Sequence, residues 1–393
     1  MSAVRIEAIK SAATPRLAAT EPICVRLVEP IAVEMPLPAP IRTPMTTISN
    51  VVTLMLRVED EDGTEGWGEI WCNFPRFGVH HRARILRELV APLVVGKAFA
   101  SPADCSRSLE IATRIVRLQA GEPGPMRSVI AGLDIALWDI AAKKSGQALW
   151  QLLGGISSRV PIYVSVGWGP AALTRVRDFA ASGIRAFKIR SSGDAEDHRR
   201  AITAAREVIG RESHLMLDLN SSWTEEAAAA GMSMLASANL SWLEEPVPVD
   251  APAATWLRLA RAAPMPLAGG ENMLDAEEVE AALNLGALTV LQPDLTKWGG
   301  LSGILPLGRR IVAEGRRFCP HMFGGAPGTL AAAHLLAASN AADGILEWGV
   351  NHNPVRDALM KRDLTGSAFE LEDTPGLGLR IDHDVLREYR IEV

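Results

Sequence analysis

From Val160 onward the chain repeats one unit, a short apolar run followed by a longer stretch of helical character. The runs are VPIYVSVG, RAFKIR, HLMLDLN, LSWLEEP, PLAGGE, LTVLQPD, RFCPHMF and GILEWG, and segments such as EDHRRAITAAREVIG, APAATWLRLARAA and DAEEVEAALNLGA lie between them. Strands that alternate with helices run parallel, because a parallel pair needs a crossover connection. Eight such units in roughly 190 residues point to a (β/α) barrel rather than an open sheet. A doubly wound sheet would want a glycine-rich phosphate loop after its first strand, and GWGPAALT is not GxGxxG. The expected fold class is therefore α/β, a TIM-type barrel.

The region before the barrel has a different texture. VVTLMLRVED and EGWGEI flank Glu61-Asp62-Gly63-Thr64, a hairpin signal. VHHRARILRELVAPLV and ADCSRSLEIATRIVRL read as amphipathic helices. Two polar, proline-rich stretches, around residues 36–46 and 72–78, lack periodicity and are expected to be surface loops. Residues 1–128 are thus expected to form an α+β domain that caps the barrel of residues 129–350.

With 393 residues the chain can bury a large core. A net charge of −6 without a basic cluster argues against nucleic acid as a partner. MSAVRIEAIK has no charged-then-apolar signal pattern, and no apolar run reaches membrane-spanning length, so a cytoplasmic protein with no membrane partner is expected. Cys24, Cys72, Cys105 and Cys319 are scattered and fit buried, reduced thiols.

In a barrel of this kind, the C-terminal ends of the strands face one shared mouth. The run ends deliver Lys188 and Arg190, then Asp218 and Asn220, Glu244, Glu271, Asp294, His321 and Glu347. Each alone has a plainer explanation. An Asp or Asn after a strand often caps the next helix, a lone histidine in an apolar stretch is usually a satisfied core residue, and Glu245 reads as a solvated or helix-starting acid. Seven strands in succession carrying such residues argue for a site.

Asp218, Glu244 and Glu271 recur 26 and 27 residues apart, about one βα unit, which places them side by side. Three carboxylates without Cys or His nearby favour a hard cation, Mg²⁺ before Zn²⁺. Such a cation acts as a Lewis acid on a substrate oxygen. Asp294 and His321 lie on adjacent strands, and an aspartate on one imidazole nitrogen raises the basicity of the other, making His321 the best general base in the chain. Lys188 can neutralise an oxyanion across the mouth, and Glu347, if protonated, can donate a hydrogen bond to it. The set suggests abstraction of a proton next to a carboxylate.

In this order and spacing the motifs resemble the enolase superfamily, specifically its mandelate racemase subgroup. AGLDIALWDIAAKKSGQALWQLLGG at 131–155 is similar to the helix leading into that family's barrel, and Lys188-Ile-Arg190 sits where the family has a Lys-x-Lys pair. Asp218-x-Asn220, Glu244-Glu245-Pro246 and Gly270-Glu271-Asn272 resemble its metal-ligand motifs. Gln292-Pro293-Asp294 and Pro320-His321-Met322-Phe323 resemble its Asp–His dyad, and Glu347-Trp348 its last-strand glutamate. The resemblance implies a modified (β/α)7β barrel, Asp218, Glu244 and Glu271 as Mg²⁺ ligands, and a tail, residues 351–393, that returns to the cap through Pro375-Gly-Leu-Gly378. It also implies an acid-sugar carboxylate as substrate and a homo-oligomer, and it suggests Asn220, Trp71, Asn73 and Arg76, with Phe74 and the loop near Thr43–Thr46, as substrate contacts. Asn351, His352 and Asn353, beyond the last strand, are further candidates to meet the substrate. The muconate-lactonising branch is disfavoured, because it carries a lysine where this chain has Asp294. Lys297 reads as the start of the next loop.

Arg190 departs from the racemase pattern, which needs a base on each face of the substrate carbon. Deprotonating a guanidinium near neutral pH costs about 7–9 kcal/mol, whereas general base catalysis returns roughly 3–5 kcal/mol. Arg190 is therefore expected to bind charge, and His321 is left as the single base. One-base chemistry implies loss of water from a 2,3-dihydroxy acid, an acid-sugar dehydratase giving a 2-keto-3-deoxy acid. The alternatives are a racemase or epimerase, and a metabolite-binding barrel without turnover.

Overall fold

The computed structural model describes residues 20–42, 47–167, 170–190, 195–360, 364 and 366–393. An antiparallel meander comes first: β1 (Ile23–Arg42), β2 (Thr47–Asp60) and β3 (Glu65–Ile70), with β4 (Ala98–Phe99) beside β1. The hairpin expected around Asp62-Gly63 joins β2 to β3, with Glu59 opposite Glu65. The stretch expected to be a loop after residue 36 belongs in part to β1. Its register jumps between Pro36, opposite Asn50, and Ile41, opposite Ile48, so Pro38 and Pro40, which have no N–H to give, sit where the ladder is interrupted. The candidate loop Thr43–Thr46 lies outside the described residues.

The eight apolar runs are all strands. β5 (Arg159–Gly167), β6 (Ala186–Arg190), β7 (His214–Asp218), β8 (Trp242–Glu244), β9 (Leu267–Gly269), β10 (Val290–Leu291) and β11 (Arg317–Phe318) pair in parallel in that order, and β12 (Leu346–Gly349) pairs in parallel with β5. β11 and β12 are the two ends of this ladder, and Gly344, two residues before β12, lies close to β11: a Cβ there would come 2.7 Å from the Phe318 carbonyl oxygen. β13 (Ala368–Glu370) lies antiparallel on β5, and β14 (Arg390–Ile391) returns to β1, with Ala32 opposite Ile391.

Side-chain alternation along a strand explains how the barrel interior turns into a site. One buried cluster holds Tyr163, Ala186, Met216, Trp242, Ala268, Val290, Cys319 and Ile345, one residue from each strand or its immediate flank. Tyr163 and Trp242 meet edge to face at 5.4 Å. Two residues further along the same faces stand Lys188, Asp218, Glu244, Gln292, His321 and Glu347. The apolar layer is thus the floor of a polar mouth.

Cap and barrel share helix Pro123–Lys144, inside which the expected boundary at Ser128 falls. Gly66 and Gly68 of β3 lie directly on it, since a Cβ at either would come within 2.1 Å of a helix carbonyl oxygen. Asp139 of this helix accepts N–H bonds from Trp67 (2.9 Å) and from Leu377 of the tail (2.8 Å). Cys72, Cys105 and Cys319 are buried, Cys24 half-buried, and all four are unpaired. Among the described residues no helix is long and apolar enough to cross a membrane.

Candidate active site

Asp218 ends β7, Glu244 ends β8 and Glu271 follows β9, and each offers a carboxylate oxygen within 4.8 Å of the other two. Glycine carries the chain into Glu271: Gly270 has φ +133°, and a Cβ there would meet the Gln292 nitrogen at 2.8 Å. Asp218 is fixed by the Asn220 N–H (2.9 Å) and lies 3.4 Å from its side-chain nitrogen. Asn220 adopts φ +43°, a left-handed conformation that asparagine tolerates. Glu244 accepts from Trp242 Nε1 at 3.0 Å and Gln292 Nε2 at 2.8 Å.

Cations face this group from β6. Lys188 is fully buried, with Nζ 2.9 Å from Glu244, 3.0 Å from Glu347 and 3.3 Å from Asp218. Burial opposes its charge, yet Glu244 and Glu347 outweigh burial and hold the ammonium well above the ordinary lysine range. The Arg190 guanidinium lies 3.3 Å from Asp218, 3.4 Å from Glu347 and 5.6 Å from the Phe323 ring centre. Burial works against its charge as well, but Glu347 and Asp218 raise its pKa further. It keeps its proton.

His321 bridges two acids. Its Nδ1 is 2.8 Å from Asp294 Oδ2, and its Nε2 is 3.0 Å from Glu271 and 3.7 Å from Glu347. Asp294 is held in turn by the Thr296 N–H (2.8 Å) and hydroxyl (2.6 Å). Burial disfavours the imidazolium, but Glu271 and Asp294 outweigh it and lift the pKa to about 10. Glu347 goes the other way: against its burial, Lys188, His321 and Arg190 pull it to about 2. Its carboxylate lies 3.0 Å from Lys188 Nζ and 3.4 Å from the Arg190 guanidinium.

The residues fit a hard divalent cation. Three oxygens around one octahedral Mg²⁺ stand about 3–4 Å apart, close to the spacing available here. Burial and Asp218 push Glu244 up to about 7, the mark of acids crowded without enough counter-charge. Among the described residues, Asp218, Glu244, Glu245, Glu271, Asp294 and Glu347 face only Lys188, Arg190 and Lys297 as permanent cations in this cluster. Among the described residues, Glu271 Oε2 has the ion-pair contact with His321 and no further hydrogen bond.

Residues 171–385 match the family described as enolase C-terminal domain-like, and residues 27–154 match the N-terminal domain of mandelate racemase / muconate lactonizing enzyme. The chain belongs to the mandelate racemase/muconate lactonizing enzyme family. A crystal structure of a family member from Bordetella bronchiseptica RB50 superposes with a TM-score of 0.84 at 42% identity, covering 94% of this chain and 99% of that one. D-Galactarolactone cycloisomerase of Agrobacterium fabrum is 31% identical over 86% of this chain and 91% of its own length. D-Galactonate dehydratase of Xanthomonas oryzae pv. oryzae is 30% identical over 85% and 90%. The protein is an enzyme of the enolase superfamily, and its mouth brings together Asp218, Glu244, Glu271, Lys188, Arg190, Asp294, His321 and Glu347.

Several parts of this enolase-superfamily site differ from the sequence expectation. Lys297 does not simply start a loop: it is buried, and its Nζ donates to the Glu271 carbonyl oxygen at 2.7 Å and lies 5.0 Å from the Trp71 ring centre. Glu245 is no solvated acid. It is buried with φ +38°, accepts from Ser221 Oγ (3.0 Å) and Asn272 Nδ2 (2.9 Å), and is pushed up to about 8 by burial and then by Glu271 and Asp218. The doubled acid before Pro246 was the available signal for Glu245, and the side-chain alternation of β10 was the signal for Gln292. Among the cap residues, Trp71 also carries Arg82 at 5.2 Å, Asn73 donates to the Phe323 carbonyl oxygen, and exposed Arg76 pairs with Glu34 at 2.6 Å.

Proposed function

We propose that this enzyme is a Mg²⁺-dependent acid-sugar dehydratase in which His321 removes the proton next to the substrate carboxylate. The observation that carries the reading is the pairing of His321 with Asp294 on one side of the mouth, opposite a cation, Arg190, that cannot serve as a second base. Mg²⁺, held by Asp218, Glu244 and Glu271, would supply Lewis-acid polarisation of the substrate carboxylate when bound.

With a cation on Asp218, Glu244 and Glu271, the Glu271 carboxylate would no longer hold a proton on His321 Nε2, so Asp294 keeps the proton on Nδ1 and Nε2 is free to take the substrate proton. Lys188 offsets the negative charge that develops on the carboxylate oxygens, and Glu347 holds Lys188 and Arg190 in place. The 3-hydroxyl then leaves as water, protonated by the imidazolium that His321 has become. The enol product tautomerises to the 2-keto-3-deoxy acid. Asn220, Trp71, Asn73 and Arg76 are our candidates for contacts with the rest of the sugar. Unpaired, mostly buried thiols fit a reducing, cytoplasmic setting.

A second reading is favoured by one finding, the 31% identity to a cycloisomerase. An isomerase returns a product of unchanged mass, whereas a dehydratase product is lighter by one water. Incubation with Mg²⁺ and a stereochemically complete panel of acid sugars and their lactones, read by 2-keto acid formation and product mass, separates them. A mass-neutral product across every reactive substrate would reject dehydration.

A further inference from the structure

The cap segment after β3 touches both loops that carry the Asp294–His321 pair. Glu69, at the end of β3, is buried, and its two carboxylate oxygens accept from the N–H groups of Gly325 (2.7 Å) and Gly328 (2.9 Å). These N–H groups open helix Ala326–Ser339, directly after the His321 loop. Glycine fits the chain to this carboxylate: a Cβ on Gly324, Gly325 or Gly328 would come 2.5, 3.1 or 2.9 Å from a Glu69 oxygen. Two residues on, the Trp71 N–H donates to the carbonyl oxygen of Thr296, the residue that binds Asp294, at 3.3 Å. Asn73 donates to the Phe323 carbonyl oxygen, two residues past His321. The helix that follows the Asp294 loop is held in the same manner, by Asp134 accepting the Ser302 N–H at 3.0 Å.

We propose that Glu69 is a positioning residue for the Asp294–His321 pair, a cap carboxylate that fixes the His321 loop from behind while touching neither substrate nor metal. A carboxylate fits this task because it offers two acceptors to two N–H groups that point the same way at a helix start. Glutamine has one acceptor oxygen and sets its amide N–H₂ against the other donor, so the loop loses one of its two anchors. The pair then no longer holds imidazole at its working distance and angle, and the loss falls on turnover more than on binding. The inference rests on the proposed role of His321 only for its kinetic arm.

The test uses full-length, Mg²⁺-loaded protein labelled with ¹⁵N-histidine. The Nδ1–H resonance of His321 is identified by its loss in His321→Asn. In Glu69→Gln that resonance is expected to shift or vanish, kcat to fall about 10-fold or more, and KM to stay within about 3-fold. Asp139→Asn is the control: Asp139 is equally buried and also accepts two backbone N–H bonds, but it ties cap to tail. It is expected to lower thermal stability and leave the resonance in place. A Glu69→Gln protein with an unmoved resonance would overturn the proposal, whatever substrate the enzyme proves to have. If that variant does not fold, Glu69→Asp, which keeps the carboxylate but withdraws it by one methylene from the Gly325 and Gly328 N–H groups, decides the question by the same resonance. A panel without any dehydration product would reject the proposed function and leave this spectroscopic arm standing.

Discussion

His321 and His334 are both buried imidazoles on the same stretch of chain, one at the barrel mouth and one in the helix layer behind it. His334 accepts the Trp150 N–H on Nδ1 (3.0 Å) and reaches the Leu377 carbonyl oxygen with Nε2 (3.3 Å), joining barrel to tail. Burial, only partly offset by that carbonyl, lowers it to about 4. His321 is as deeply buried, yet Glu271 and Asp294 raise it to about 10. Burial alone does not decide how a histidine titrates; the charge of its partners does. Neutral backbone groups keep a buried imidazole uncharged, whereas carboxylates let a buried imidazole carry a proton.

The contrast can be broken at its strongest point first. His321→Asn should lower kcat by about 10²–10⁴-fold on any substrate the enzyme turns over. A variant keeping about a tenth or more of the wild-type rate would remove the chemical role from this histidine. Asp218→Asn tests the acids that surround it: titration calorimetry with Mg²⁺ should show a loss of affinity of about 100-fold or more. Unchanged heats would mean that the three carboxylates are not the cation site.

His334 gives the smallest effect, on stability. Below about pH 6.5 the unfolded chain's imidazole takes up a proton that the folded site refuses until about pH 4. Its contribution is therefore present above the unfolded pKa and is lost as the pH falls. Between pH 7 and pH 5 it should cost the wild type about 2 kcal/mol, and His334→Gln, which can make both hydrogen bonds, should not show this loss. Glu69, held up to about 7 by burial despite its two N–H bonds, and Asp134, raised to about 6 by burial, tilt stability the opposite way. Both are common to the two proteins, so comparing denaturation midpoints isolates His334. Parallel midpoint shifts in wild type and variant would show that His334 is not the buried neutral group described here.

The same contrast marks what the sequence could reveal. The barrel strands were readable because each is a short apolar run, and the mouth was readable because a polar residue stands two places beyond an interior one on most strands. Lys188, Asp218, Glu244, His321 and Glu347 all follow that register. Glu245 was signalled only by the doubled acid before Pro246, and Lys297 and Glu69 were not readable at all, because their contacts depend on partners in other loops or in the other domain. Lys297 meets Trp71 of the cap, and Glu69 meets a helix start more than 250 residues away. The strand character of residues 36–42 was hidden for a related reason: prolines weaken a local strand signal, and β2 supplies the pairing.

The most direct measurement is the mass and deuterium content of the product formed in D₂O by wild type and His321→Asn, each with Mg²⁺ and with EDTA. One-base dehydration predicts a wild-type product that has lost one water and gained a single carbon-bound solvent deuterium at C3, with none formed by His321→Asn or in EDTA. Substrate returned with deuterium next to the carboxylate and no loss of water, or product still formed by His321→Asn, would contradict it.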